Sequence, residues 1–197
     1  MKKIALAFLL CIVAAGSAGA TPDKTDVVTG TGIGQRLPQF TAQVTDVSAG
    51  KPKTVEFDSL KTKRSTVYIF VGTHCPATAA YAERLTQLEK TYAPKGIDFI
   101  YIYPNREDTT DTKLAFHGEK KFTGRLIDDQ GARLAHLFNA QRTTELFLIN
   151  KDGVIVYHGG IDDSRDPGAV KQRYLATALD QLLGGKPITT AESQVFA

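Results

Sequence analysis

The chain has little cysteine, and this scarcity limits the chemistry open to it. Its 197 residues include two cysteines, Cys11 and Cys75. Cys11 lies inside an N-terminal apolar stretch and follows the bulky Leu10, which argues against a lipid-modified cysteine. If that stretch is removed, an exported protein with Cys75 alone has no internal disulfide framework. Such an odd thiol is buried, pairs with a partner, or does redox work.

Long hydrophobic runs are also missing. The apolar stretch at residues 4–15 is too short to span a bilayer comfortably. Two lysines precede it and small residues follow, which is the pattern of a secretory signal. We therefore predict a signal peptide over residues 1–20 with cleavage near Ala20 and Thr21. The mature protein is expected to be secreted or periplasmic, with no stable membrane insertion.

The chain carries no strong excess of charge. Its formal net charge is +3, and two of those charges belong to the lysines of the predicted signal. This balance gives no reason to expect a nucleic acid or an anionic membrane as partner. The 42% hydrophobic content suits an ordinary globular core. We expect a flexible leader over residues 21–36, one domain over 37–187 and a tail over 188–197.

Motifs for phosphate, zinc or serine-hydrolase chemistry are not found, and no cofactor is expected. A copper site is an alternative, because exported proteins can bind copper through cysteine and histidine. Soft copper sites prefer two sulfur ligands, whereas this chain offers one. The histidines His117, His136 and His158 also fall on separate predicted elements. We therefore predict no metal ligands.

Hydrophobic periodicity indicates alternating strands and helices. Apolar or alternating runs predict strands over residues 40–47, 54–57, 67–71, 97–103, 126–127, 145–150 and 154–158. Helical patterns are predicted from residue 76 to a Pro-Gly stop near 94–96, and over residues 111–122, 132–138 and 170–183. The order is typical of an α/β fold with a mixed central sheet and helices on both faces. This is the thioredoxin-like arrangement.

Cys75 stands at the most informative place in this pattern. It follows the most apolar strand and a Gly turn, and Pro76 suits the first position of a helix. Unpaired N–H groups at a helix N-terminus favour a thiolate, which is the nucleophilic form. The alternative is a small hydrophobic side chain packed in the core, since free cysteine is often buried. We favour the reactive interpretation.

Two neighbours are candidates for the environment of the thiol. His74 is either a base or cation that lowers the thiol pKa, or a cap of the turn. Thr78 lies one turn inside the helix and either hydrogen-bonds the thiolate or bonds only the backbone. Both pairs of alternatives stay open at this point.

Several segments together resemble the redoxins of the alkyl hydroperoxide reductase and thiol-specific antioxidant (AhpC/TSA) superfamily, which includes peroxiredoxin-like proteins. The resemblance covers residues 37–187. It is carried by the motif His74-Cys75-Pro76 at a strand end and by residues 70–85, 92–97, 145–153 and 157–167. It implies a thioredoxin-like fold and a redox-active cysteine, with oxidoreductase or antioxidant activity.

The chain departs from the patterns of its relatives near the thiol. Thioredoxin-type oxidoreductases have a CxxC turn and a facing cis-proline, but here Thr78 replaces the second cysteine, and Thr143 and Thr144 occupy the proline region. Peroxiredoxins have a threonine three residues before the cysteine, where this chain has Gly72. The resemblance suggests Arg142 on the facing loop as the activating cation.

We therefore predict an exported redoxin that uses Cys75 for thiol–disulfide or peroxide chemistry, with an external thiol as reductant. Its proposed catalytic environment is His74, Thr78 and Arg142, and Thr73, Thr143 and Thr144 are the predicted substrate-binding residues. Two alternatives remain: a one-cysteine thiol peroxidase of the peroxiredoxin type, and a non-enzymatic binding module with an inert cysteine.

Overall fold

The computed structural model describes residues 30–47 and 51–196. The predicted signal peptide and its cleavage point lie outside these residues. Within them, a mixed seven-stranded sheet carries helices on both faces, which confirms the predicted fold class. In the same part of the chain, no helix has the length and apolar character needed to cross a membrane.

All the predicted strands are present. They are β1 (Thr41–Asp46), β2 (Lys53–Asp58), β3 (Ser65–Phe70), β4 (Ile97–Tyr103), β5 (Arg125–Asp128), β6 (Leu146–Ile149) and β7 (Ile155–Gly159), and their order across the sheet is β2-β1-β5-β4-β3-β6-β7. β3 runs parallel to β4 and antiparallel to β6. As a central strand covered on both faces, β3 is apolar along most of its length, as buried strands of this kind are.

In residues 30–47 and 51–196, four α-helices connect or flank the strands. They are α1 (Pro76–Tyr92), α2 (Thr110–Glu119), α3 (Arg133–Phe138) and α4 (Tyr174–Leu183). α4 begins four residues later than predicted. The reason is that Asp163 engages the preceding segment: its Oδ1 accepts the Lys171 N–H at 2.9 Å, and its own N–H donates to the Gln172 carbonyl at 3.1 Å.

The end of α2 also differs from the prediction, which extended the helix to Phe122. The helix ends at Glu119, because the backbone turns into the left-handed region at Lys121, where φ is 59°. This turn brings the Phe122 ring into a stack on Tyr101, with 4.3 Å between the ring centroids. The stacked pair buries both rings, which stabilises the early helix end.

Alternate side chains of β3 enter two separate cores. Val67 and Ile69 pack under α1 and α4 on one face of the sheet. Tyr68 and Phe70 pack on the other face, against Phe138 of α3. This period of two fixes the register of the strand, since a shift by one residue would exchange the two sets. The end of β3, and therefore the segment that follows it, is held firmly.

The predicted C-terminal tail contains a segment that pairs with the edge strand β7. The His158 N–H donates to the Ala191 carbonyl at 2.9 Å, and the Ser193 N–H donates to the His158 carbonyl at 3.1 Å. Gly159 lies beside this segment with φ of 149°, and a Cβ there would stand 2.6 Å from the Ser193 carbonyl oxygen. The close approach requires glycine at this position.

Candidate active site

Cys75 occupies the N-cap of α1, as the sequence predicts. The strand β3 ends at Phe70, and the Cys75 N–H closes the intervening turn by donating to the Gly72 carbonyl at 3.3 Å. Pro76 begins the helix, and the Ala79 N–H donates to the Cys75 carbonyl at 3.2 Å. A firmly packed strand and a helix start therefore determine where the thiol stands.

The surroundings of the thiol favour its ionised form. The Sγ of Cys75 lies 2.8 Å from the Thr143 hydroxyl oxygen, across the gap between α1 and the loop before β6. Burial raises the pKa of Cys75, but the Thr143 hydroxyl and the N–H groups of Thr78 and Ala77 outweigh it, so the pKa lies below its ordinary value. The sulfur makes no cap hydrogen bond, so these N–H groups act as dipoles of the helix end.

Thr78 is fully buried beneath the turn, and its hydroxyl oxygen accepts the Gly72 N–H at 3.2 Å. Because the oxygen acts as acceptor in that bond, the hydroxyl proton is left for another acceptor. The Thr78 hydroxyl also lowers the Cys75 pKa, by less than the Thr143 hydroxyl and the N–H groups of Thr78 and Ala77 do. Its side chain thus fixes the turn and contributes modestly to the thiol.

The loop before β6 faces the thiol with Thr143. The peptide bond between Thr143 and Thr144 is cis, at the place where the sequence comparison expects a cis-proline. Thr144 is buried, whereas the Arg142 side chain is exposed. Among the described residues, the Arg142 guanidinium has no hydrogen bond or ion pair. The structure therefore brings Thr143 to the sulfur and does not bring Arg142 there.

A buried carboxylate supports this loop. Glu145 is 4% exposed, and its Oε2 accepts the N–H groups of Gln141 at 2.7 Å and of Arg142 at 3.1 Å. Its Oε1 lies 2.6 Å from Nε2 of His158, whose ring stacks on Phe147. Burial raises the pKa of Glu145, but the bonds from His158 and the two N–H groups outweigh it, so the pKa falls below its usual value.

The His74 imidazole pairs with a carboxylate. Its side chain is 80% exposed, and its Nε2 lies 3.2 Å from Oδ1 of the buried Asp108. The Thr73 hydroxyl donates to the other oxygen of the same carboxylate. Thr73 and His74 thus anchor the turn through Asp108, and neither makes a hydrogen bond to the Cys75 sulfur.

A cleft of about 480 Å³ opens beside Cys75, between the start of α1 and one face of α2. Ala79, Ala115 and Phe116 supply apolar lining, and Thr73, His74 and Lys120 supply polar lining. An open cleft next to the sulfur gives a second thiol or disulfide room to approach. In the described part of the chain, no group of three or more histidine, cysteine or acidic side chains is arranged to hold a metal.

Sequence reasoning missed Asp108 and Glu145. Asp108 follows β4, and parallel β3 and β4 end at the same edge of the sheet, so a polar residue there is expected to meet the turn before Cys75. Glu145 is an acidic residue directly before an apolar strand, which is an unusual place for a buried carboxylate. Both signals are present in the sequence, but neither identifies the backbone or side-chain groups that donate hydrogen bonds to these carboxylates.

A family model matches most of the chain. The model of the redoxin family matches residues 33–172, which include Cys75, Thr143 and Glu145. The chain belongs to the redoxin family. Membership supports a thiol redox function in general terms and confirms the resemblance seen in the sequence. No curated protein matches this redoxin in sequence.

Solved structures resemble this redoxin over most of its length. An uncharacterized conserved protein from Geobacillus kaustophilus is 26% identical, with a TM-score of 0.71 over 84% of this chain and 88% of the other. A putative protein disulfide isomerase from Bacteroides thetaiotaomicron is 21% identical, with a TM-score of 0.57 over 77% and 88%. A reduced 2-Cys peroxiredoxin from Plasmodium vivax is 13% identical, with a TM-score of 0.58 over 78% and 97%. The last two likenesses show the thioredoxin-like fold.

Proposed function

We propose that this redoxin is an exported oxidoreductase that carries out thiol–disulfide exchange through Cys75. The observation that carries the proposal is the placement of the sulfur at the N-cap of α1, 2.8 Å from the Thr143 hydroxyl and beside an open cleft. This environment lowers the pKa of the thiol, so more of it is the reactive thiolate near neutral pH.

The proposed reaction has two steps. In the first, the Cys75 thiolate attacks one sulfur of a substrate disulfide, and the S–S bond breaks as a new one forms. The substrate's other sulfur leaves as a thiolate, and Cys75 is held in a mixed disulfide. In the second, the thiolate of an external thiol attacks the bound substrate sulfur, and Cys75 leaves as a thiolate. The net change is the exchange of one disulfide partner for another.

The second thiol must come from outside the domain. Cys75 is the sole free cysteine among the described residues, and Thr78 occupies the position of a second turn cysteine. The Thr78 side chain is buried and bonded to Gly72, so it serves the turn instead of the redox cycle. The partners we propose are therefore exported thiols and disulfides.

Peroxide chemistry has less support from the geometry. The Thr73 hydroxyl donates to Asp108, and the exposed Arg142 guanidinium makes no hydrogen bond to the sulfur within the described residues. A peroxidase gains much of its rate from polar groups that stabilise the charge developing on the leaving oxygen. In the described structure the Thr143 hydroxyl lies 2.8 Å from the Cys75 sulfur, and the Thr78 hydroxyl adds a smaller stabilising effect on the thiolate.

A mass-spectrometric competition experiment tests the proposal. The reduced protein, with Cys11→Ser so that Cys75 is the only thiol, is mixed with bis(2-hydroxyethyl) disulfide or with hydrogen peroxide. We expect rapid addition of one hydroxyethylthio group, reversed by an added thiol, and slow gain of oxygen. A matched Cys75→Ser variant must show neither product. Faster oxidation by peroxide would favour the peroxidase, and no reaction before denaturation would favour the inert binding module.

A further inference from the structure

The loop that carries Thr143 is bound by Glu145. Gln141 and Arg142 direct their backbone N–H groups inward, and both donate to Oε2 of Glu145. The Arg142 carbonyl accepts the N–H of Glu145 itself at 3.3 Å. One buried residue therefore binds this loop through its carboxylate and its backbone.

Glu145 is in turn attached to the strand that delivers the thiol. Its carbonyl oxygen accepts the Phe70 N–H at 2.9 Å, at the end of β3. Its Oε1 is held by His158 on β7, which is fixed by the ring stack on Phe147, with centroids 4.3 Å apart. Three strands thus fix the carboxylate that holds the Thr143 loop.

We infer that Glu145 is a positioning residue for Cys75, because its carboxylate holds the loop from Gln141 to Thr143 so that the Thr143 hydroxyl stays on the sulfur. The residue acts through Thr143 and does not itself touch the reacting atoms. The inference rests on Cys75 being the reactive group of the proposed function.

Charge and positioning make opposite predictions, which allows a sharp test. A nearby negative charge disfavours a thiolate, so removing the charge of Glu145 lowers the pKa of Cys75 if only electrostatics operate. Losing the Thr143 hydrogen bond removes a group that favours the thiolate, so the pKa of Cys75 rises. The direction of the change therefore identifies the mechanism.

Two conservative variants separate charge from reach. Glu145→Asp keeps the charge, but its side chain is one methylene shorter and does not reach both the loop and His158. Glu145→Gln removes the charge, but its amide oxygen accepts the two loop N–H groups while its NH₂ faces Nε2 of the appropriate His158 tautomer. Positioning predicts that the aspartate variant perturbs Cys75 and the glutamine variant rescues it.

The measurement is the pH dependence of iodoacetamide alkylation of Cys75, in the full chain with Cys11→Ser. We expect Glu145→Asp to move the midpoint to higher pH and to reduce the thiolate fraction below the midpoint by up to about fivefold. Glu145→Gln leaves the midpoint in place or moves it to lower pH. An unchanged midpoint in the aspartate variant, or a higher one in the glutamine variant, overturns the inference.

A double-mutant cycle tests the route through Thr143. In a Thr143→Val background, Glu145→Asp is expected to have no further effect on the midpoint, since the hydroxyl is already absent. An additive effect overturns the inference. If the aspartate variant does not fold, Glu145→Leu fills the buried site without a charge. Positioning then predicts a midpoint at higher pH, and an equal or lower one contradicts it.

Alkylation distinguishes this inference from the proposed function, because it reads the sulfur directly and needs no substrate. If the Glu145 variants change the alkylation midpoint as expected but the protein exchanges no disulfide, the proposed function alone is overturned. If Cys75 exchanges disulfides but the alkylation midpoint is the same in the Glu145 variants as in the parent protein, the positioning role alone is overturned.

Discussion

Removing the Thr143 hydroxyl isolates the contact that we hold most responsible for the reactivity of Cys75. Thr143→Val keeps the branched shape and loses the group that lies 2.8 Å from the sulfur. A hydrogen bond to a charged group contributes roughly 1.5–3 kcal/mol, and solvent screening at this half-buried thiol reduces that to about 1 kcal/mol. Since 1.4 kcal/mol is about a factor of ten, the thiolate fraction below the midpoint falls about fivefold.

The assay is the rate of Cys75 reaction with a small disulfide across pH, with Thr143→Ser as the matched control that retains a hydroxyl. A thiolate of higher pKa is intrinsically more nucleophilic, with a Brønsted coefficient of about 0.4–0.5. The rate at low pH is therefore expected to fall only about two- to threefold, while the plateau at high pH rises about twofold.

The crossing of the two profiles is the signature of the lost hydrogen bond. A uniform loss of rate at all pH values would instead indicate damage to the site. A valine variant with the midpoint of the parent protein, or a lower midpoint, would refute the argument that Thr143 stabilises the thiolate.

Three further changes test other parts of the structure. His74→Ala is expected to leave the Cys75 midpoint unchanged, because the imidazole is exposed and pairs with Asp108. Burial lowers the pKa of His117 to about 4, so the unfolded state binds its proton more readily below about pH 6.5. Protonation of His117 in the unfolded state is therefore expected to lower the free energy of unfolding by about 2 kcal/mol between pH 7 and pH 5. Urea titrations at the two pH values measure this difference. Gly159→Ala is expected to destabilise the fold by about 1–3 kcal/mol, because of its positive φ and the close tail segment. Gly118→Ala, with open space around its Cβ in α2, is the matched control and is expected to be neutral or stabilising.

Each of these changes has an outcome that contradicts it. A midpoint shift in His74→Ala would place the imidazole in the thiol environment after all. A His117→Asn variant that retains the full pH dependence would assign the loss of stability to other groups. Equal melting temperatures for Gly159→Ala and the parent protein would show that the tail segment accommodates the added Cβ without loss of stability.

The fold was predictable because its signals are local. The apolar run before Gly72 predicts a strand buried on both faces, and Pro76 predicts a helix start, so the placement of Cys75 needed no long-range information. The ends of α2 and α4 were predicted less well, since tertiary contacts set them. Asp163 accepts a hydrogen bond from the backbone N–H of Lys171, just before α4. The Phe122 ring stacks on Tyr101, which places Phe122 outside α2.

The site was only partly predictable, because its contacts join residues far apart in sequence. Thr143 was expected near the thiol as a binding residue, but its direct contact with Cys75 depends on how the loop before β6 is held. That hold comes from Glu145, whose partners include backbone N–H groups that a sequence pattern does not mark. The role of His74 at the thiol stays a prediction: its place next to Cys75 in the sequence suggests it, whereas the structure pairs its imidazole with Asp108.

The most direct test of the account compares Cys75 with itself in the folded and unfolded chain. The rate of exchange with a small disulfide is measured at pH 6 in native buffer and in urea that unfolds the protein, with Cys11→Ser in both. The account predicts faster exchange in the folded protein, because its environment lowers the pKa of the thiol. Slower exchange in the folded protein would contradict it and would identify Cys75 as a buried, inert cysteine.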